Sequence, residues 1–317
     1  MIDSSMNTSV QKLWAIWLKW RAGKTVTSEF VEFEFNLEDN LRRLCDDLNS
    51  NRWVHGEYRS FDVRESKKRT VNVARIRDRL VHRLIYEYLE KIYDKKFFYD
   101  VWSCRKEKGL LACIERVGRV LNRFPKAYFW RCDIKKFFDT VNHDFLLECI
   151  ERRIKDEFMI KLIRDTIFSF RTGAGVGMPI GNLTSQIFSN IYLNELDYFV
   201  QHNISKLFYV RYGDDFVFLS QSREELVAIR ERVLQFIQTK LLLNINIKHD
   251  FLSEVKCGVR FLGVQIFSCG RKLCKRTKQK IHTRLNLKNL DSYREITTKH
   301  CSKGDLRILD WEIYDII

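Results

Sequence analysis

The stretch Leu207-Phe208-Tyr209-Val210-Arg211-Tyr212-Gly213-Asp214-Asp215-Phe216-Val217-Phe218-Leu219 decides the fold. Two short apolar runs, Leu207–Val210 and Phe216–Leu219, flank Tyr212-Gly213-Asp214-Asp215. The pattern predicts a β-hairpin with two acidic residues at its tip. Adjacent carboxylates repel, and a folded chain seldom sets them beside an apolar hairpin unless a cation neutralises them. A third acid, Asp133, ends another apolar run, Tyr128–Cys132, and completes a candidate metal site. Two metal ions held by such carboxylates can activate a hydroxyl and stabilise a leaving pyrophosphate.

Working outward, 317 residues suit one large domain or two to three subdomains with ample core. A hydrophobic share of 45% excludes a disordered chain. Lys and Arg number 56 against 41 acids, and the net charge of +15 exceeds what solubility needs. Such a charge favours a polyanion such as nucleic acid, or an anionic membrane surface. No window reaches transmembrane length, and Trp14–Trp20 is broken by Lys19 with no cleavage site after it. No membrane partner is expected. The nine cysteines contain no C-x-x-C pair, so reduced thiols in a cytoplasmic protein are expected and zinc is not.

Periodicity predicts helices over 9–22, 36–50, 78–93, 108–123, within 144–169, and over 183–200 and 223–240. The Val10, Leu13, Trp14, Trp17 and Trp20 face reads as core. Strands are expected at Tyr58–Val63 and Thr70–Val73, joined by the charged turn Arg64–Arg69, and again at 128–133, 244–248 and 259–267. The tail from Thr277 reads as helical and basic. Strands and helices in this order cannot all be joined by βαβ crossovers, so the fold class is α+β with an antiparallel sheet holding the carboxylates.

Five ordered segments carry a resemblance. They are Lys68-Arg69-Thr70-Val71 through His82, Asp133–Asp139, Gly177–Gln186, Tyr212–Asp215 and Phe261-Leu262-Gly263. Together they resemble the bacterial reverse transcriptases of group II introns, retrons and diversity-generating retroelements. The resemblance implies a right-hand polymerase fold with fingers, palm and a short helical thumb. It places an N-terminal helical extension at 1–28, fingers mainly at 29–127, palm at 128–276 with a fingers insertion near 150–180, and thumb at 277–317. Asp133, Asp214 and Asp215 would be the catalytic, metal-binding triad, with the Ile134 carbonyl as an extra ligand. All donors are hard oxygens, so two Mg²⁺ ions are expected, with Mn²⁺ able to substitute. Lys67, Lys68 and Arg69 would grip the incoming dNTP, and Phe138 would act as a steric gate against a ribose 2′-hydroxyl. Ile180, Gly181 and Gln186 would border the nascent base pair. Primer and template would meet Arg75, Arg77, Tyr212, Gly213, Phe261, Leu262, Gly263 and Lys278. Taken alone, Asp133 also reads as a helix cap, Phe138 as core, and Phe261-Leu262-Gly263 as a strand bulge. Asp78 is expected to pair with one of its neighbouring arginines.

One segment narrows the subtype. Most reverse transcriptases carry Gln-Gly-x-x-x-Ser-Pro where this chain has Ile180-Gly181-Asn182-Leu183-Thr184-Ser185-Gln186. That form resembles diversity-generating enzymes, which copy a template RNA into cDNA with errors opposite adenine. The resemblance also implies a small basic accessory protein oligomer as partner, docking on the Trp14–Trp20 face or the apolar C-terminus. From the length after the thumb no maturase, endonuclease or RNase H region is expected, which speaks against a full group II intron protein. Two alternatives stay open: a defence-associated reverse transcriptase copying a dedicated noncoding RNA, and an inactive nucleic-acid-binding scaffold.

Overall fold

The computed structural model describes residues 8–64, 68–204, 208–287, 289–300 and 303–314. In chain order the elements are α1 (Val10–Arg21), α2 (Ser28–Phe35), α3 (Leu37–Asn49), β1 (Arg59–Arg64), β2 (Lys68–Val73), α4 (Ile76–Tyr93) and α5 (Leu110–Arg123). Then follow β3 (Tyr128–Asp133), α6 (Phe137–Thr140), α7 (His143–Glu151), α8 (Glu157–Phe168), α9 (Leu183–Asn203), β4 (Phe208–Tyr212), β5 (Asp215–Ser220) and α10 (Arg223–Thr239). The chain ends with β6 (Phe251–Glu254), β7 (Val259–Phe261), β8 (Val264–Phe267), β9 (Gly270–Leu273), α11 (Lys275–Arg284), α12 (Leu290–His300) and α13 (Lys303–Tyr314). Local chemistry sets many starts. Ser9, Thr27, Asn142, Asp156 and Ser222 each accept a backbone N–H of the first turn of α1, α2, α7, α8 and α10.

Two compact units form, and neither is continuous in sequence. The first takes residues up to Phe97, Lys136–Glu195 and Leu241–Leu243. In it, β1 and β2 pair antiparallel, with Arg64 opposite Lys68. Residues 65–67 of the expected charged turn, Lys67 among them, lie outside the described residues. Trp17 is fully buried and stacks on Trp20 and Phe30, whereas Trp14 is 47% exposed, so only part of the tryptophan stripe is core. Asp78 is buried and accepts from Trp53 Nε1 (3.2 Å) and the Gly56 N–H (3.1 Å). It anchors a loop and does not pair with an arginine as expected.

The second unit takes Phe98–Lys135, Leu196–Lys240 and Asn244–Ile317. Its main sheet runs β4-β5-β3-β6, every pairing antiparallel. A smaller sheet runs β7-β8-β9. One core joins Ile114 and Val117 of α5, Phe129, Val217 and Leu219 of the main sheet, Phe261 and Ile266 of the smaller one, and Ile281, Leu309 and Ile313 of the tail helices. Burial of that area is the main stabilising term. The strand expected at 244–248 is absent. Ile245 makes one isolated bridge to Ile134, a 3₁₀ turn occupies Ile247–His249, and the strand is β6, further along. The Asn246 side chain accepts from the Lys248 N–H and turns the chain. The expected strand at 259–267 is a hairpin. Leu262 (φ 51°) and Gly263 (φ 82°) form a two-residue turn of the I′ pattern, which corrects the bulge reading. A Cβ at Gly263 would meet Thr277 Oγ1 at 2.9 Å, and Thr277 Oγ1 donates to the Gly263 carbonyl (2.8 Å). Among the described residues, no helix is long and apolar enough to cross a membrane.

Candidate active site

Three acids reach one edge of the main sheet. In the β3–β5 register Asp133 stands opposite Asp215, and in the β4–β5 register Tyr212 does. The Ile134 N–H donates to the Asp214 carbonyl (3.2 Å), tying the hairpin tip to the end of β3. Gly213 has φ 64°, the positive angle that a II′-type turn needs at its first central residue. Its N–H donates to Ser103 Oγ (2.8 Å) and its carbonyl accepts from Arg211 Nη1 (3.0 Å). Arg211 is fully buried and forked onto Asp197, Nε–Oδ1 2.9 Å and Nη2–Oδ2 2.5 Å. The Tyr209 hydroxyl donates to the same carboxylate (2.8 Å). The segment before α5 braces β4 from outside: Trp102 N–H donates to the Arg211 carbonyl and Arg211 N–H to the Asp100 carbonyl, both at 2.9 Å. The tip is therefore held by backbone and buried charge, independently of the acids it carries.

The acids differ in environment. Asp215 is 16% exposed and accepts a fork from Arg131, Nε–Oδ1 3.0 Å and Nη2–Oδ2 2.7 Å. Burial pushes its carboxyl up to about 6; Arg131 pulls it down, and Asp133 and Asp214 add to the rise. Asp133 Oδ1 is buried without a hydrogen-bond partner, although His249 Nδ1 lies 2.8 Å away, and Asn246 Nδ2 donates to Oδ2 at 3.4 Å. The loop carrying His249 is pinned by Asp250, which accepts from Trp130 Nε1 (2.7 Å) and Arg230 Nε (2.9 Å). A buried carboxylate oxygen lacking a donor, beside two further carboxylates on the same edge, fits a hard divalent cation. Among the described residues no three His, Cys, Asp or Glu side chains already close into a metal cage, and Asp215 has both oxygens turned to Arg131.

Arg131, His249, Asn246 and Ser103 were not expected from sequence. Only Arg131 carried a signal: it lies two residues from Asp133 and so on the same strand face. Elsewhere in this unit, Leu262 and Gly263 form the β7–β8 turn described above, Phe261 is buried beneath it, and Lys278 is exposed on α11.

In the first unit the Ile180–Gln186 segment is locked to β2. The Asn72 N–H donates to the Ile180 carbonyl (2.9 Å), and Asn182 Nδ2 donates to the Asn72 carbonyl (2.7 Å). Gly181 has φ 105°, and a Cβ there would lie 2.6 Å from Val71 Cγ1. Ser185 Oγ donates to the Pro179 carbonyl (2.7 Å), and Gln186 is exposed on α9. Phe138 is half-buried against Phe137, and its carbonyl accepts from the Met178 N–H (2.6 Å). Arg69 is exposed on β2; Lys68 opens that strand, its side chain lying outside the described part. Arg75 is exposed before α4, whereas Arg77 is paired with Asp47 (2.7 Å). A cavity of about 450 Å³ is lined by Lys19, Trp20, Lys24, Arg79, Arg83 and Gly181.

The family model described as reverse transcriptase (RNA-dependent DNA polymerase) matches residues 60–266. Protein YkfC of Escherichia coli K12 is 26% identical over 238 residues, covering 62% of this chain and 62% of that protein. The group II intron-encoded protein LtrA of Lactococcus lactis is 22% identical over 302 residues, 72% of this chain and 50% of that protein. The chain thus spans less than two thirds of the length of these curated relatives. Among solved structures, apo telomerase from Candida tropicalis superposes with TM-score 0.53 at 11% identity, covering 83% of this chain and 57% of that one. Telomerase from Candida albicans, solved with a fragment of telomeric RNA, gives 0.53 at 13%, covering 82% and 54%. These likenesses and the mixture of helices with antiparallel sheets establish the right-hand polymerase fold. Since the matched segment covers more than half of the chain and contains Asp133, Asp214 and Asp215, this chain belongs to the reverse transcriptase (RNA-dependent DNA polymerase) family, whose members generally use divalent metal ions.

Proposed function

We propose that the chain is an RNA-directed DNA polymerase that extends a primer along a template RNA, and that it is of the error-prone, diversity-generating type. The observation that carries the polymerase reading is the Asp133–Asp215 register with Asp214 at the adjoining hairpin tip. Asp133, Asp214 and Asp215, with the Ile134 carbonyl, would hold two Mg²⁺ ions. Bound there, the ions would supply Lewis-acid activation of the primer 3′-hydroxyl and neutralise the leaving pyrophosphate. The protein's part is positioning. Ser103 and Arg211 fix the Gly213 backbone, so the main chain of the hairpin tip is set in advance. Phe138 would exclude a 2′-hydroxyl, and Lys67, Lys68 and Arg69 would take the triphosphate. The basic cavity around Trp20, with Arg79 stacked 5.7 Å over that ring, suits an unpaired template strand. The fingers, palm and thumb limits given above remain our assignment, as does an accessory protein oligomer.

The subtype rests on Ile180. Its carbonyl is tied to Asn72, so the backbone is fixed whatever the side chain. A β-branched apolar group there removes the amide found in most of the family and loosens selection by fit. Primer extension on an RNA template, with every product sequenced, tests both parts. Asp214→Ala is expected to lower synthesis by about 10³-fold, the loss of several kcal/mol of transition-state stabilisation. Ile180→Gln is expected to reduce misincorporation opposite adenine. Synthesis that survives Asp214→Ala would sink the polymerase reading, and unchanged fidelity in Ile180→Gln would sink the subtype.

A further inference from the structure

We propose that Arg131 is an internal counter-ion that latches Asp215 while the site lacks a metal, and that loading a divalent cation requires the guanidinium fork to let go. The inference rests on the reading of Asp133, Asp214 and Asp215 as metal ligands. Arg131 and Asp133 lie on one face of β3, and Arg131 stands opposite Val217, which shares a face of β5 with Asp215. The guanidinium therefore reaches Asp215 diagonally, within the same edge that gathers the acids. Both carboxylate oxygens are engaged, at 3.0 and 2.7 Å, and the two side chains are only 22% and 16% exposed.

The contrast with Asp133 is informative. Its Oδ1 makes no hydrogen bond and faces only His249 Nδ1 at 2.8 Å, while Asp215 has both oxygens held by a fork. A hard cation entering between the acids would satisfy the first and compete with Arg131 for the second. Without the fork, three carboxylates on one sheet edge would repel each other in the metal-free protein. Arg131 thus serves the empty state at the expense of the loaded one. A lysine cannot substitute, because its point charge does not match both oxygens. Arg131 is a positioning residue here, acting through Asp215.

The test is a Mn²⁺ titration of the full chain without nucleic acid, following free Mn²⁺ by electron paramagnetic resonance. Melting in EDTA and in Mn²⁺ is recorded alongside. Wild type, Arg131→Lys, Arg131→Met and Asp214→Asn are compared. The latch predicts Mn²⁺ binding tighter by about tenfold in Arg131→Met and about threefold in Arg131→Lys, with both variants melting lower than wild type in EDTA and recovering in Mn²⁺. Arg131→Lys separates the fork from net charge and keeps the test alive if Arg131→Met folds poorly. Binding in Arg131→Lys equal to wild type, or weaker binding in either variant, overturns the latch while the metal site stands. No Asp214-dependent Mn²⁺ binding in any of the proteins overturns the metal site and the latch together.

Discussion

Replacing Arg211 by Met should destabilise the second unit severely, because its guanidinium is forked onto Asp197 in the core. Arg211 and Asp197 are 0% and 1% exposed and joined by a fork, with Tyr209 donating to the same carboxylate. Removing the cation leaves an uncompensated carboxylate in the core, which costs about 3–5 kcal/mol. The Gly213 carbonyl also loses its donor. For a unit of this size, about 2–4 °C of melting temperature is lost per kcal/mol, so the transition should fall by about 6–20 °C. Differential scanning calorimetry measures this directly. The triple change Asp197→Leu, Tyr209→Phe, Arg211→Met removes the three linked polar side chains together and should recover most of the loss, because a buried ion pair replaced by apolar groups is close to neutral. A drop under about 2 °C for Arg211→Met, or a triple variant as unstable as the single one, would refute the reasoning.

Gly181→Ala places a Cβ 2.6 Å from Val71 Cγ1 at φ 105°, and should cost about 1–3 kcal/mol of stability by urea denaturation. Adding Val71→Ala relieves the contact but not the backbone strain, so recovery should be partial; full recovery would mean that strain contributes nothing. His82 is 1% exposed, and burial, with His55 and Arg79 adding to it, lowers its pKa from 6.5 to about 3. A group neutral when folded and protonated when unfolded gives stability that is complete above pH 6.5 and is lost as pH falls from there toward 3. At pH 5 the loss is about 2 kcal/mol. Urea midpoints at pH 5 and pH 8 should therefore diverge less in His82→Gln than in wild type, and equal divergence would exclude His82 as the cause.

How much of this was legible in the chain depends on the range over which each feature is decided. The hairpin tip was readable because strand, turn glycine and strand are contiguous, and turn geometry depends on neighbours alone. Helix α4 was readable because Leu80, Leu84, Ile85 and Leu89 repeat at helical spacing and are all buried. The segment 244–248 was misread because Asn244-Ile245-Asn246-Ile247 alternates as a strand does, while the Asn246 side chain competes for backbone and turns the chain. Helix α2 was missed: among its apolar residues, Phe30 is buried while Val31 and Phe35 are exposed, so the stripe is faint. The Leu262-Gly263 turn was ambiguous because a glycine within a strand pattern marks either a bulge or a bend.

What sequence could not give is the partner of each charge, and at this site the partners decide the chemistry. Asp133, Asp197 and Asp215 all belong to the second unit, yet they meet three different fates. Asp197 is neutralised permanently by Arg211, in a core with no exposed edge. Asp215 is neutralised by Arg131 at a partly exposed edge, where a competing cation can reach it. Asp133 has one oxygen without a hydrogen bond, facing only the His249 ring nitrogen at 2.8 Å. The difference between Asp133 and Asp215 follows from register: Arg131 opposite Val217 and Asp133 opposite Asp215 put one cation among the acids at the tip. A shift of one residue between β3 and β5 would send both Arg131 and Asp133 to the face away from Asp215. The same pairing that brings the carboxylates together therefore also supplies the charge that lets them fold without metal, and the sheet register, more than any single side chain, carries the site.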